Sequence, residues 1–281
     1  MLPDRSATAS TRRKPLFLLA IGALLLFMEC GGQEAARRPV TLTVFAAASL
    51  TDAFGAIEQD FEAQHPHVDV VLNLAGSQHL AQQLRLGAPA DVFASANPAQ
   101  MTVAVESGRI APEAPEPFVQ NRLVLITPPS NPGRVEGLRD LARPDVRIVL
   151  ADAAVPAGRY ARQMLEAASQ DSTFTSTFGQ EVLSNVVSFE QNVRVVLTKV
   201  VLGEADAGIV YATDPHGEAA DAVRVLDVPE PLNVAATYPI APVRDSAHPD
   251  VAAAFVHFVR SASGRARLTD YGFFPTANPP S

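Results

Sequence analysis

The stretch VFAAASLTDAF, residues 44–54, decides the fold. Val44, Phe45 and the alanines that follow read as a buried strand. At Ser49 the run stops, and Leu50, Ala53, Phe54, Ile57 and Phe61 recur with the spacing of an amphipathic helix. Ser49 suits an N-cap, and Asp52 stands where a capping box puts its acid, so Asp52 is expected to face its own helix start. A strand end that feeds a helix N-terminus is also a place where anions bind, because first-turn amides lack partners and the helix dipole is positive there.

The same alternation runs through the chain. Strands are expected over 42–48, 68–75, 90–96, 121–128, 146–152, 186–190, 207–214, 223–229 and 235–243. Helices are expected near 50–64, 78–86, 98–107, 137–142, 157–168, 178–184, 192–202, 249–262 and 264–270. Strands alternating with helices imply an α/β fold with mostly parallel sheets. The segments APEAPEPFVQ, 111–120, and PEPLNV, 229–234, break the rhythm and suit crossings between domains. The expected division is 1–40 as signal peptide and tether, 41–120 plus 241–281 as one lobe, and 121–240 as a second lobe.

With 281 residues, 47% of them hydrophobic, the chain can bury a large core. Its formal net charge is −8, and without residues 1–29 it becomes −10. That balance speaks against nucleic acid as a partner. It also means that an anion site must rely on local dipoles. Arg12, Arg13 and Lys14 precede the apolar run 16–28, the layout of a secretory signal peptide, too short to favour a spanning helix. Cys30, the single cysteine, ends that run and is followed by Gly31 and Gly32, which resembles the bacterial lipoprotein pattern. Met28 and Glu29 stand where that pattern has small residues. A soluble exported protein and an uncleaved anchor are the alternatives.

Four places share the strand-to-helix design: Ser49 after VFAAA, Ser77 after NLAG, VPAGRYA at 155–161, and FEQNVRVVL, where Asn192 can cap and Val193 opens a helix. Pro156 suits a first helical turn. In open α/β sheets ligands lie beyond the carboxyl ends of the strands. Two starts fall in each expected lobe, so all four can line one cleft. Tyr211, in AGIVYATD, adds a phenolic donor at a strand end.

The stretches TVFAAASLTDAF, LAGSQHLAQQLRLGAPADVFASA, NRLVLITP, VPAGRYA, NVR, GIVYATD and TYPIAPV, in this order over about residues 41–275, resemble the periplasmic molybdate-binding proteins of molybdate ABC transporters. The second stretch is the most specific. The resemblance implies a two-lobed type II periplasmic-binding-protein fold with a hinge. It implies an oxyanion held by neutral donors alone: Ser49 and Ser77 through hydroxyl and amide, Ala157 and Val193 through their amides, and Tyr211 through its hydroxyl. Each touches molybdate or tungstate through its oxygens, with sulfate largely rejected. The implied partner is an ABC permease, with no cofactor and no enzyme activity. The expected state is an exported monomer, periplasmic or on the outer face of the cytoplasmic membrane, lipid-anchored through Cys30.

The chemistry fits that expectation. A fully ionised tetrahedral dianion has no proton to donate, so donor-only walls suit it, whereas hydrogen phosphate gains from a carboxylate acceptor. The alternative is a sulfate-, thiosulfate- or phosphate-binding protein of the same fold. An enzyme is disfavoured: Ser77 and His79 are two apart, and positions so spaced do not face each other on a helix. A G-x-S-x-G elbow is missing. His65 and His67 lack neighbouring residues that complete a metal shell. The adjacent tyrosines typical of ferric binders are absent near Tyr211.

Overall fold

The computed structural model describes residues 39–276. Cys30, the apolar run before it and the expected tether lie outside the described residues. Among the described residues no helix is long and apolar enough to cross a membrane.

The opening strand β1 (Val40–Ala47) leads through one tight turn, 48–50, into α1 (Thr51–Gln64). There follow β2 (Val68–Ala75), α2 (Ser77–Arg85), β3 (Val92–Ala94), α3 (Pro98–Glu106) and β4 (Glu116–Asn121). The second half-fold has β5 (Leu123–Thr127), β6 (Ile148–Ala151), α4 (Pro156–Gln170), α5 (Phe178–Ser184), β7 (Val186–Glu190), α6 (Val193–Val201), β8 (Ala207–Tyr211) and β9 (Arg224–Asp227). The chain then returns through β10 (Ala236–Pro242), α7 (Pro249–Arg260), α8 (Ala262–Asp270) and β11 (Phe274–Pro275).

These strands form two sheets, ordered β11-β4-β10-β3-β1-β2 and β7-β6-β8-β5-β9. This is the two-lobed α/β architecture. The pairing is mixed rather than mostly parallel. β1 lies parallel to β2 and β3, and β6 lies parallel to β7 and β8. β10 runs antiparallel to β3 and β4, and β5 antiparallel to β8 and β9. The reason is connectivity: the chain leaves the first sheet along β4 and comes back along β10, so these neighbours run in opposite directions.

The proline-rich segment 111–120, expected as a crossing, carries most of β4. Pro117 sits opposite Pro239 where the register shifts, and a proline without an N–H is tolerated at such a break. The outward crossing is therefore Arg122 alone, between β4 and β5. The return crossing follows β9, and β10 already belongs to the first sheet from Ala236, ahead of the expected boundary at 241. Asn233 ties the two crossings together: its side chain accepts from the Leu123 amide at 3.0 Å and donates to the Leu123 carbonyl at 2.8 Å.

Strand alternation puts Leu42, Val44 and Ala46 on one face of β1, in the main core, and Phe45 on the other, in a second cluster with Leu80, Leu84 and Phe93. Both faces of the strand are covered, as a parallel sheet requires. On the first face Phe54 packs against Phe118 and Phe255 with ring centroids 6.1 and 6.2 Å apart, and Phe61 meets Phe255 at 5.2 Å. This aromatic layer joins α1 to α7 and to β4, and so fixes where α1 begins. Truncating Phe54, which is fully buried, is expected to lower unfolding free energy by about 3–5 kcal/mol. Urea denaturation of Phe54→Ala checks it.

Candidate anion-binding site

In-register pairing brings the site together. Ala47 of β1 pairs with Ala75 of β2, so the two strands end side by side and Ser49 and Ser77 follow within two residues of those ends. In the second sheet Ala151 of β6 pairs with Glu190 of β7. α4 and α6 start just beyond, and Tyr211 is the last residue of β8. The four helix starts and Tyr211 meet at one small, tight cavity whose lining includes Ser49, Ser77, Ala157, Val193 and Tyr211. All five expected site residues are thus brought to one place, drawn from both lobes. Apart from the Tyr211 phenol, the lining has no ionisable side chain.

The local geometry favours donation into that space. Ser49 does not cap α1. It lies in the short turn 48–50, and neither that turn nor α1 has a side-chain cap. Its Oγ instead sits 2.9 Å from the Tyr238 hydroxyl. Ser77 Oγ accepts from the Ala96 amide at 3.0 Å, which leaves the serine proton to point elsewhere. The starts of α2 and α4 likewise lack side-chain caps, whereas Asn192 accepts from the Val195 amide at 3.1 Å. First-turn amides have no intrahelical acceptor, so uncapped starts present bare N–H groups. The Tyr211 hydroxyl is buried and has no hydrogen-bond partner. Burial, above all, pushes its phenol well above the ordinary tyrosine range, with Tyr238, Tyr160 and Asp214 adding to it. It therefore stays a protonated donor. Tyr238 is close enough to contribute to that shift, with ring centroids 5.8 Å apart, yet no bond of normal geometry joins the two hydroxyls.

Two glycines permit the close approach. A Cβ on Gly76 would stand 2.5 Å from the Gln191 carbonyl oxygen of the opposite lobe. A Cβ on Gly158 would fall inside contact distance of the Ala151 and Asp152 carbonyls, at the end of β6. The lobes also touch through Gln78 Nε2, which donates to Gln191 O at 2.8 Å, and Gln100 Nε2, which donates to Ala154 O at 3.3 Å.

Asp52 departs from its expected place. Instead of facing its own helix start it accepts from Arg194 Nη2 across the lobes at 2.7 Å. The sequence spacing suggested a local cap, but a cation on α6 outcompetes neutral amides for the carboxylate. Sequence reasoning did not single out Arg194, Tyr238 or Ala96. Their partners are far along the chain, and the one local signal was the position of Arg194 directly after Val193.

The wider groove beside this ion pair carries Asp52, Arg194 and His216 on its walls, a mixed set that does not select an anion. Among the described residues no group of three or more His, Cys, Asp or Glu is placed to hold a metal ion.

Residues 42–274 match the family described as bacterial extracellular solute-binding protein. The chain belongs to that family. Its members are solute-binding components of transport. One relative is the molybdate-binding protein ModA of Mycobacterium tuberculosis, 36% identical over 90% of this chain and 95% of its own length. Among solved structures, the periplasmic molybdate-binding protein of Azotobacter vinelandii superposes with a TM-score of 0.71 at 20% identity, covering 84% of this chain and 99% of that one. The sulfate-binding protein SubI of M. tuberculosis superposes with a TM-score of 0.77 at 18% identity, covering 85% and 88%. At such identities these two likenesses establish the fold alone.

Asp214, three residues after Tyr211, is fully buried and accepts from the Tyr211 amide at 2.8 Å. Desolvation, opposed by the Arg194 charge, pushes its carboxyl up to about 7. A carboxyl raised from 3.8 favours the folded state when protonated, so its contribution is lost as pH rises from about 4 through about 7. Wild type is expected to lose more thermal stability between pH 5 and 8 than Asp214→Asn, as read by the melting temperature at each pH. Gly76→Ala is expected to weaken ligand binding with little change in the melting temperature of the ligand-free protein, because its Cβ meets the Gln191 carbonyl of the opposite lobe, while the other close neighbour is the end of the flexible Gln78 side chain. Titration calorimetry with molybdate and thermal melting check the two halves.

Proposed function

We propose that this protein captures molybdate, and tungstate, between its lobes and delivers it to an ABC permease. The observation that carries the reading is the cavity lined by hydroxyl and first-turn amide donors from four helix starts, free of carboxylates and of cationic side chains. A dianion taken from water needs a partner for every oxygen. Charge-assisted bonds from neutral donors supply them without an acceptor that would repel it. Ser49 and Ser77 give hydroxyl and amide, Ala157 and Val193 amides, and Tyr211 its hydroxyl. The same wall disfavours hydrogen phosphate, whose proton finds no acceptor side chain. Sulfate is also a donor-only guest, so it is discriminated by size. The 36% identity to ModA, over nearly the whole of both chains, supports molybdate rather than sulfate.

In this reading no cofactor takes part, the protein acts as an exported monomer, and Cys30 is the lipid-anchored residue after signal cleavage. The closed pair of lobes presents one shape to the permease.

Titration calorimetry of the ligand-free protein with molybdate, tungstate, sulfate and phosphate tests the reading. One-to-one binding of the first two, with the others far weaker, is the expected result; preference for sulfate or phosphate would overturn the substrate while keeping the fold. Ser49→Ala, Ser77→Ala and Tyr211→Phe are each expected to raise Kd for molybdate roughly 10- to 150-fold, the range for one hydrogen bond to a charged group.

A further inference from the structure

Of the ion pairs among the described residues, Asp52–Arg194 alone joins the two lobes. Its partners are 142 residues apart, and each sits in the first turn of a helix that opens on the anion cavity. Arg194 directly follows Val193, which lines the cavity. Asp52 is three residues after Ser49. The two side chains are 26% and 36% exposed, so water screens the pair less than it does a pair on the open surface.

The guanidinium makes a second bond. Nη1 donates to the backbone carbonyl of Asp214 at 2.8 Å, and the Asp214 carboxyl in turn accepts from the Tyr211 amide at 2.8 Å. One side chain thus touches the helix that follows Ser49, springs from the residue next to Val193, and braces the turn that aims Tyr211. It donates nothing into the cavity itself, and its charge is met by Asp52. Any motion that draws Val193 away from Ser49 must stretch the Asp52–Arg194 bond.

We propose that Arg194 is a positioning residue of the anion site: by bridging Asp52 to the Tyr211–Asp214 turn it holds the two halves of the donor set at bonding distance, and so sets how long the anion stays bound. The inference rests on the proposed capture of molybdate. The neutral interlobe contacts of Gln78 and Gln100 close the cleft edges, but they do not reach the Tyr211 turn. Arg194 links closure to donor placement because its two bonds lie on opposite sides of the cleft.

The test is stopped-flow measurement of molybdate association and dissociation for wild type, Arg194→Met, Arg194→Lys, Asp52→Asn and the Arg194→Met/Asp52→Asn pair. Each single loss is expected to speed dissociation about tenfold while association changes by no more than about twofold, since a bond that holds the closed state acts mainly on the off-rate. The double variant is expected to be no faster than Arg194→Met alone, because both changes remove one interaction. Arg194→Lys, which keeps a charge for Asp52, should recover part of the loss. A merely structural residue would lower the melting temperature without this pattern. Should Arg194→Met fail to fold, Asp52→Asn still reads the interlobe bond. Unchanged dissociation in the variants, or additive effects in the double, would overturn the role of Arg194 and leave the molybdate reading standing. Absence of molybdate binding by wild type would overturn that reading, and the role of Arg194 with it.

Discussion

The constraint on which the structure depends is the ending of parallel strands in register. Because Ala47 and Ala75 pair at the last rung of β1 and β2, the helices that follow begin side by side. The same holds where Ala151 of β6 pairs with Glu190 of β7. Each helix start brings unpaired amides and a positive dipole end. Two such pairs, facing each other across a cleft, form the donor-lined wall of the proposed anion site, which needs no lysine or arginine. The −8 charge of the chain is then no obstacle, since the field that matters is local.

Everything near the cradle serves to keep its donors unengaged and its walls close. The start of α4 has Pro156, which removes an amide that would otherwise need a partner, and Gly158, which lets the helix lie on the end of β6. The Ala96 amide donates to Ser77, so that hydroxyl is oriented by its acceptor side, and the Tyr238 hydroxyl holds Ser49 Oγ at 2.9 Å. Burial keeps the Tyr211 and Tyr238 phenols protonated. The charged and titratable side chains are held just outside: Arg194 is engaged by Asp52, and the Asp214 carboxyl, raised to about 7, is tied to the Tyr211 amide.

Lobe geometry enters through two thin connections. Arg122 separates β4 from β5, and Asn233 pins the return path to Leu123. So narrow a junction allows rotation of one lobe on the other, the motion by which a two-lobed binder encloses its guest. The contacts that span the cleft, from Gln78, Gln100 and Arg194, belong to the closed arrangement.

Much of this was legible in the residues alone. Strand-to-helix switches at Ser49, Ser77, Pro156 and Asn192 depend on local periodicity and on turn chemistry, which a short window contains, and the residues at those switches, with Tyr211 at its strand end, line one cavity. What the window does not contain is the partner of a long side chain. Asp52 looked like a local cap because its nearest neighbours in sequence are amides, yet its partner lies 142 residues away and carries a full charge. The segment 111–120 looked like a linker because its three prolines disfavour a strand, and only the register shift opposite Pro239 shows how β4 accommodates Pro117. Periodicity, capping residues and turn residues act within a few positions, so the sequence by itself determined the elements and the donors at their ends. Sheet order, the crossing points and the Asp52–Arg194–Asp214 bridge arise from contacts between remote segments, and only the tertiary structure decided them.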